Sequence, residues 1–410
     1  MVLNYIWVGF FAVGFLAAIV RFFMGESDVF TLMVDSIFDM SKTGFEISLG
    51  LTGVLTFWMG IMNVGEQGGM TNVIAKIFGP FFRRLFPQIP ENHPALASII
   101  MNFSANMLGL DNAATPLGLK AMEQMQQLNT DKQRASNAQI MFLTLNASGL
   151  TLLPATVMVY RMQMGAANPS DIFIPTLLAT TASTVVGLIA VSIYQKINLF
   201  NKVVLSYALV LSLIVGLAVW LVSGLEQQEV SRVSNIVSNG IIFIIVVAFV
   251  LMAFLKKINV YEAFIDGAKD GFQTSVKIIP YMIAMLVAIG VFRASGALDF
   301  ICNGLATMLT AVGINADFIP SLPTAFMKPL SGSGARGMMI DCMKTYGADS
   351  FPARIACTMQ GAADTTFYII ALYFGSVGIK QTRYAVTVGL IAELAGLVAA
   401  VLVGYAFFGS

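Results

Sequence analysis

MNFSANMLGLDNAATPLG (Met101–Gly118) and AFMKPLSGSGARG (Ala325–Gly337) are polar, glycine-bearing stretches set in a chain that is otherwise strongly apolar. The composition is 57% hydrophobic and only 11% charged, against roughly 25% charged in soluble domains. Val2–Val20, Ile172–Gln195 and Val203–Leu225 carry no charged side chain, and about 20 apolar residues cross a hydrocarbon core. A multi-pass membrane protein follows, all-α, because helices satisfy their own backbone in lipid. The expected crossings are Val2–Val20, Phe45–Met62, Gln139–Tyr160, Ile172–Gln195, Val203–Gly224, Ser238–Leu255, Phe272–Phe292, Ile355–Tyr373 and Tyr384–Ala406. The two quoted stretches are too polar to cross and are expected to enter the membrane and return. Thr71–Phe86 and Leu298–Ala311 show helical spacing of apolar residues after a glycine turn, as interfacial helices do.

A repeat links the two stretches. Lys42–Phe45 matches Lys269–Phe272, and Gly69–Ile74 matches Gly296–Ile301 at the same offset. Asn112–Gly118 then lies against Ser331–Gly337, and Thr144–Ser148 against Thr358–Ala362. Four matches in one order indicate duplication. Each copy has an even number of crossings, and the unpaired Val203–Gly224 delivers the second copy to the opposite face, so the copies are expected to be inverted. The expected divisions are 1–200, a linking helix in 201–230, and 231–410. Lys76, Arg83, Arg84, Lys120, Lys132, Arg134, Lys196, Lys202, Lys256, Lys257, Lys380 and Arg383 are expected on one side, which the positive-inside rule makes cytoplasmic, with the N-terminus inside and the C-terminus outside.

Net charge is +1, which excludes a polyanion-binding surface, and no nucleic-acid partner is expected. Cys302, Cys342 and Cys357 are unclustered and His93 has no companion ligand, so neither a disulfide framework nor a metal site is expected. Gly-Ser-Gly-Ala-Arg-Gly lacks the glycine-lysine-serine/threonine ending of a phosphate loop. No nucleophile–base pair appears, so an enzyme is not expected, and neither is a cofactor.

The chemistry concentrates around the two loops. In the second, proline after Lys328 stops the incoming helix, Ser331 and Ser333 sit among glycines, and a new helix is expected from about Ala335. That places Arg336 in a first turn, where the dipole disfavours a cation unless an anion or Asp341 shares the site. In the first loop Asn102 and Asn106 share a helix face, Asp111 and Asn112 lie at the turn, and Thr115-Pro116 reads as a cap and first helical position. Amides with a carboxylate suit a polar solute or Na⁺; mutual satisfaction of the broken backbone is the plainer role. The crossing after each loop is polar midway: Asn146 and Ser148 in one, Gln360, Asp364 and Thr365 in the other. An acid within a crossing faces a partner or a wet cavity. Asp364 is therefore the candidate for Na⁺ or H⁺ coupling, unless Lys328 or Arg336 simply pairs with it. Glu393 is expected to pair across helices.

NMLGLDNAATPLGLKAM, within residues 1 to 200, resembles the spore maturation protein A family. MKPLSGSGARGMM, DTTFYIIALYFGSVGIK and TRYA, within 230 to 410, resemble the spore maturation protein B family. Both are similar to the nucleoside-recognition, or Gate, membrane superfamily, and the chain looks like a fusion of two proteins usually separate. The resemblance implies re-entrant hairpins around a central site, a bacterial cytoplasmic-membrane location and a secondary transporter. The expected partners are a small polar or anionic metabolite and membrane lipid; a homo-oligomer is left open. A membrane scaffold in envelope or spore maturation is the rival expectation.

Overall fold

A computed structural model describes residues 2–90, 93–108, 111–222, 227–311, 313 and 315–409. The first half opens with α1 (Val2–Phe23) and the long α2 (Val29–Gln67). A turn at Gly69, with φ 84°, leads into amphipathic α3 (Met70–Leu85). The helices α4 (Pro94–Met107) and α5 (Asp111–Leu128) fold back on each other. His93 caps α4, its Nδ1 accepting from the Ala95 N–H at 3.2 Å. Next come α6 (Asn137–Ser148), opened by a Ser136–Gln139 capping box, then α7 (Ala155–Gln163) and α8 (Phe173–Gln195). After α9 (Lys202–Val222) the order recurs. It runs through α10 (Gln227–Leu255), α11 (Val260–Ala294) and, past a turn at Gly296, α12 (Ala297–Ala311). A second helical hairpin, α13 (Leu322–Met327) and α14 (Gly332–Tyr346), precedes α15 (Phe351–Gly361), α16 (Thr366–Ser376) and α17 (Ala385–Phe408).

Among the described residues, α1, α2, α8, α10, α11 and α17 are long and apolar enough to cross a membrane. The chain is an all-helical, polytopic membrane protein. Two expected crossings are corrected. Gln139–Tyr160 is not one helix: α6 ends at Gly149, which adopts φ 56°, and residues 149–154 are non-helical before α7. Ile355–Tyr373 is likewise interrupted, by residues 362–365 between α15 and α16. Of the expected Val203–Gly224, residues 223 and 224 lie outside the described residues. The helices α2 and α11 also outrun the expected crossings; at 39 residues and 1.5 Å per residue, α2 is about 58 Å long.

Matching helices of the two halves pack antiparallel. Gly44 lies against Ile283, Leu55 and Thr56 against Gly271, and Gly60 against Phe264, so residue numbers rise along α2 as they fall along α11. A methyl group at Gly271 would sit 2.8 Å from the Thr56 Cα. Small residues at such crossings let helices touch backbone to backbone, which is what drives association in lipid. The helices α8 and α17 do the same: Ser183 Oγ donates to the Ala392 carbonyl at 2.7 Å, and the rings of Tyr194 and Tyr384 stack at 4.6 Å.

The halves are clasped at both ends of this assembly. One clasp is made of amides and main chain. Fully buried Gln139 donates to Gln126 Oε1 at 2.9 Å, and Gln126 Nε2 donates across to the Val377 carbonyl at 3.2 Å. Ala135 N–H donates to the Gln381 carbonyl at 3.0 Å, and Lys380 N–H to the Gln133 carbonyl at 2.9 Å. The other clasp is ionic. Arg161, 0% exposed at the end of α7, meets Asp171 and Asp349 at 2.9 Å each, and Arg354 meets Asp171 at 2.8 Å. Arg161 Nη1 also donates to the Ala348 carbonyl at 2.8 Å. Removing buried Arg161 costs about 3–5 kcal/mol, because Asp171 and Asp349 are then left to share the single cation Arg354.

Candidate functional site

The interruptions and the hairpin tips meet. Leu152 N–H, in the first interruption, donates to the Met107 carbonyl at the end of α4, at 2.8 Å. Phe367 N–H, just after the second, donates to the Pro329 carbonyl in the α13–α14 turn, at 3.3 Å. The two interruptions also join each other: Asp364 N–H donates to the Ala147 carbonyl at 2.8 Å. Gly149 sits directly beneath that contact; a Cβ there would meet Asp364 N at 3.0 Å. Backbone groups freed from helix are thus satisfied by one another, as they must be away from water. Four polar segments distant in sequence converge on one place.

On the first-half side the side chains satisfy each other. Asn106 Nδ2 donates to Asn146 Oδ1 at 2.8 Å, and fully buried Asn102 donates to the Ala114 carbonyl at 2.8 Å. Tyr373 Oη, arriving from α16 of the other half, lies 3.4 Å from Asn146 Oδ1 and 3.5 Å from Asn102 Nδ2. Ser148 is drawn away: its Oγ donates to the Leu145 carbonyl at 3.0 Å and accepts from Thr184 on α8 at 3.1 Å. The expected cap at Thr115 is corrected, because α5 already begins at Asp111 and Pro116 lies inside it. The side chains of Asp111 and Asn112, and Gly109 entirely, lie outside the described residues.

The second-half side is charged and incompletely paired. The helix α14 begins at Gly332, not near Ala335, because Ser331 Oγ caps it by accepting from Gly334 N–H at 3.0 Å; Ser333 Oγ is 3.1 Å from that hydroxyl. Arg336 is therefore in the second turn, its guanidinium 5.5 Å above the ring of Tyr160 from α7. Asp341 is not its partner: Arg293 of α11 holds that carboxylate through Nε at 2.9 and 3.1 Å and through Nη2. Among the described residues Arg336 has no carboxylate within ion-pair distance and no side-chain hydrogen bond.

Asp364 is the matching anion. It is exposed, although its neighbours Ala363 and Thr365 are each 5% exposed, so the carboxylate faces open space within a packed region. Neither Lys328 nor Arg336 comes within ion-pair distance of it. Lys328, 3% exposed, instead gives its ammonium to the Gln360 carbonyl at 2.6 Å, at the negative end of α15. Gln360 and Asp364, four residues apart, do not share a helix face, because α15 ends at Gly361. Gln360 Nε2 reaches the Gly332 carbonyl at 3.5 Å, and its Oε1 is buried without a partner. Thr365 packs on Gly332. Glu393 pairs across helices as expected, accepting from Thr366 Oγ1 at 2.6 Å, while its Oε1 stays unpartnered.

Sequence reading missed Tyr160, Tyr373 and Arg293. The tyrosines carried a signal: extending the match of Thr144–Ser148 with Thr358–Ala362 aligns Tyr160 with Tyr373 to within a residue. Each half lends its tyrosine to the hairpin of the other. Arg293 and Asp341 carried none, being joined only by the packing of α11 on α14.

The comparisons agree with this duplicated plan. The family described as Gate, nucleoside recognition, matches twice, over residues 48–166 and 275–380. Spore maturation protein B of Bacillus subtilis (strain 168) is 45% identical over 179 residues, 44% of this chain and 99% of that protein. Spore maturation protein A of the same organism is 40% identical over 186 residues, 45% of this chain and 92% of that protein. The two likenesses fall on different halves. The chain thus joins likenesses to two proteins that are separate in Bacillus subtilis, and it belongs to the Gate, nucleoside-recognition, family.

Proposed function

We propose that this protein is a secondary transporter, not an enzyme, that moves a small polar or anionic metabolite, nucleoside-like or a carboxylate, through the convergence of hairpins and interrupted helices. Residues 1–200 and 231–410 act as inverted repeats joined through 201–230, and the antiparallel packing of α2 on α11 and of α8 on α17 supports that relation. Interrupted helices meeting between inverted repeats are how carriers present backbone dipoles to a substrate. The reading places the chain in the bacterial cytoplasmic membrane with its N-terminus inside. One observation carries it: among the described residues Arg336 and Asp364, of opposite charge, each lack an ion-pair partner. Arg336 takes the anionic or electron-rich part of the solute. Asp364 takes a proton, a Na⁺ or a donor group of the solute.

The experiment is a thermal-unfolding screen of the purified protein against nucleosides, carboxylates, phosphorylated metabolites and monovalent cations. A ligand bound only by the folded state raises the apparent stability, by about 2.7 kcal/mol at a hundred times its Kd. At least one class is expected to stabilise the wild type and to lose its effect in Arg336→Ala or Asp364→Ala. Vesicles should then accumulate that solute. Stabilisation untouched by both substitutions would remove the assignment.

A membrane scaffold for envelope or spore maturation is the second reading. The observation favouring it is the first-half cluster, where Asn102, Asn106, Asn146 and Tyr373 satisfy each other and need no ligand. It predicts a stable complex with another envelope protein in mild detergent and no solute-dependent stabilisation.

A further inference from the structure

An apolar cavity lies away from the charged centre. It measures about 1380 Å³ and runs along α8 from Phe173 to Lys196, walled by α3, α4, α9 and α10. Twenty-three residues of α8 at 1.5 Å each make it about 34 Å long, close to one hydrocarbon core. Its walls are almost wholly apolar. Phe78 and Phe103 close it on one side, Val237 and Ile241 on another, and its floor reaches Leu152 and Met107, the back of the first interruption.

Its charge is confined to one end. Lys196 is the only charged residue among those lining the cavity. Its ammonium makes no ion pair or hydrogen bond among the described residues. One turn earlier on α8, Ser192 is 2% exposed, lines the same end, and holds a hydroxyl with no partner among the described residues. A buried hydroxyl and a cation, both unpartnered, at the mouth of a long apolar crevice are complementary to one anionic oxygen group carrying hydrocarbon. A soluble metabolite would leave the apolar walls unmatched. A neutral or zwitterionic lipid would offer Lys196 no net charge.

We propose that the crevice between α8 and the α9–α10 pair is a binding site for one anionic phospholipid, its phosphate at Lys196 and Ser192 and its acyl chains laid along α8. The proposal is independent of the transport reading, since it uses none of Arg336, Asp364 or the hairpin side chains. It gives the lipid a structural position: the chains pack against Leu152 and Met107, the residues whose main-chain hydrogen bond ties the first interruption to its hairpin.

The test is native mass spectrometry of the full chain, delipidated in mild detergent and titrated with phosphatidylglycerol or phosphatidylcholine of identical chains. One phosphatidylglycerol is expected to be retained in preference to phosphatidylcholine by about fivefold, the effect of one cation at an anionic lipid surface. Lys196→Gln should erase that preference without changing elution in size exclusion. Val185→Trp, placing an indole in the crevice from a residue 36% exposed, should lower retention of both lipids. Leu394→Trp, on the exposed face of α17, should change neither. Equal retention of the two lipids by the wild type, or a Lys196→Gln variant that keeps the preference, would overturn the assignment.

Discussion

The two sides of the centre share one backbone plan and hold opposite chemistry. In each, a helical hairpin meets an interrupted helix through one main-chain hydrogen bond, and each receives a tyrosine from the other half. Around Tyr373 lie three asparagines that satisfy one another. Over Tyr160 lies Arg336, which, like Asp364, has no ion pair among the described residues. The backbone plan is shared, while the side chains on it differ: a closed amide network on one side, and on the other charged groups without ion pairs among the described residues. A buried amide cluster is stable only when every member is satisfied. Charges left unpaired in such a setting are retained at a cost and mark function.

The same contrast recurs at the two end clasps, and the strongest test compares them. Arg161→Ala should lower stability by about 3–5 kcal/mol, since Asp171 and Asp349 lose their buried partner. Gln139→Ala in the amide clasp should lower it by about 1–3 kcal/mol. Thermal unfolding of the two variants in one detergent measures both, and equal losses would erase the distinction. At the centre, Arg336→Ala and Asp364→Ala should reduce ligand affinity or flux roughly a hundredfold, near 3 kcal/mol, with membrane expression unchanged. Asn146→Ala should instead cost about 1–2 kcal/mol of stability and leave ligand preference as it was; a switched preference would move recognition to the amide side. The exposed Lys42–Glu46 pair, at 3.8 Å, calibrates the scale. Lys42→Ala should shift stability by less than about 0.5 kcal/mol.

Much of the architecture is legible along the chain. Uncharged runs locate α1 and α8, and the two hairpins sit where polar residues interrupt the apolar pattern. The ends of α2 and α11 are not legible from hydropathy, because Asp35, Asp39 and Lys42, or Asp266 and Lys269, prolong a helix past its apolar segment. The first interruption left a trace, Gly149 and Pro154 bracketing a short segment. The second left little: no proline stands in residues 362–365, and the helix yields there because Asp364 N–H finds the Ala147 carbonyl of the other half. For the same reason Arg336 and Asp364 can be nominated from sequence, but their lack of partners cannot. That depends on Arg293 capturing Asp341 across two helices.

The antiparallel seam of α2 on α11 has a bearing on how such a protein is made. Every contact along it joins residues from different halves, and the relatives in Bacillus subtilis are each about half as long as this chain. Tethering two modules turns their meeting into an intramolecular event governed by effective concentration. A single polypeptide therefore guarantees equal numbers of both modules and spares each from drifting in the bilayer with its glycine-lined groove uncovered. Severed between residues 222 and 227 and produced from two genes, the modules should still find one another, with a yield that falls as either becomes scarce.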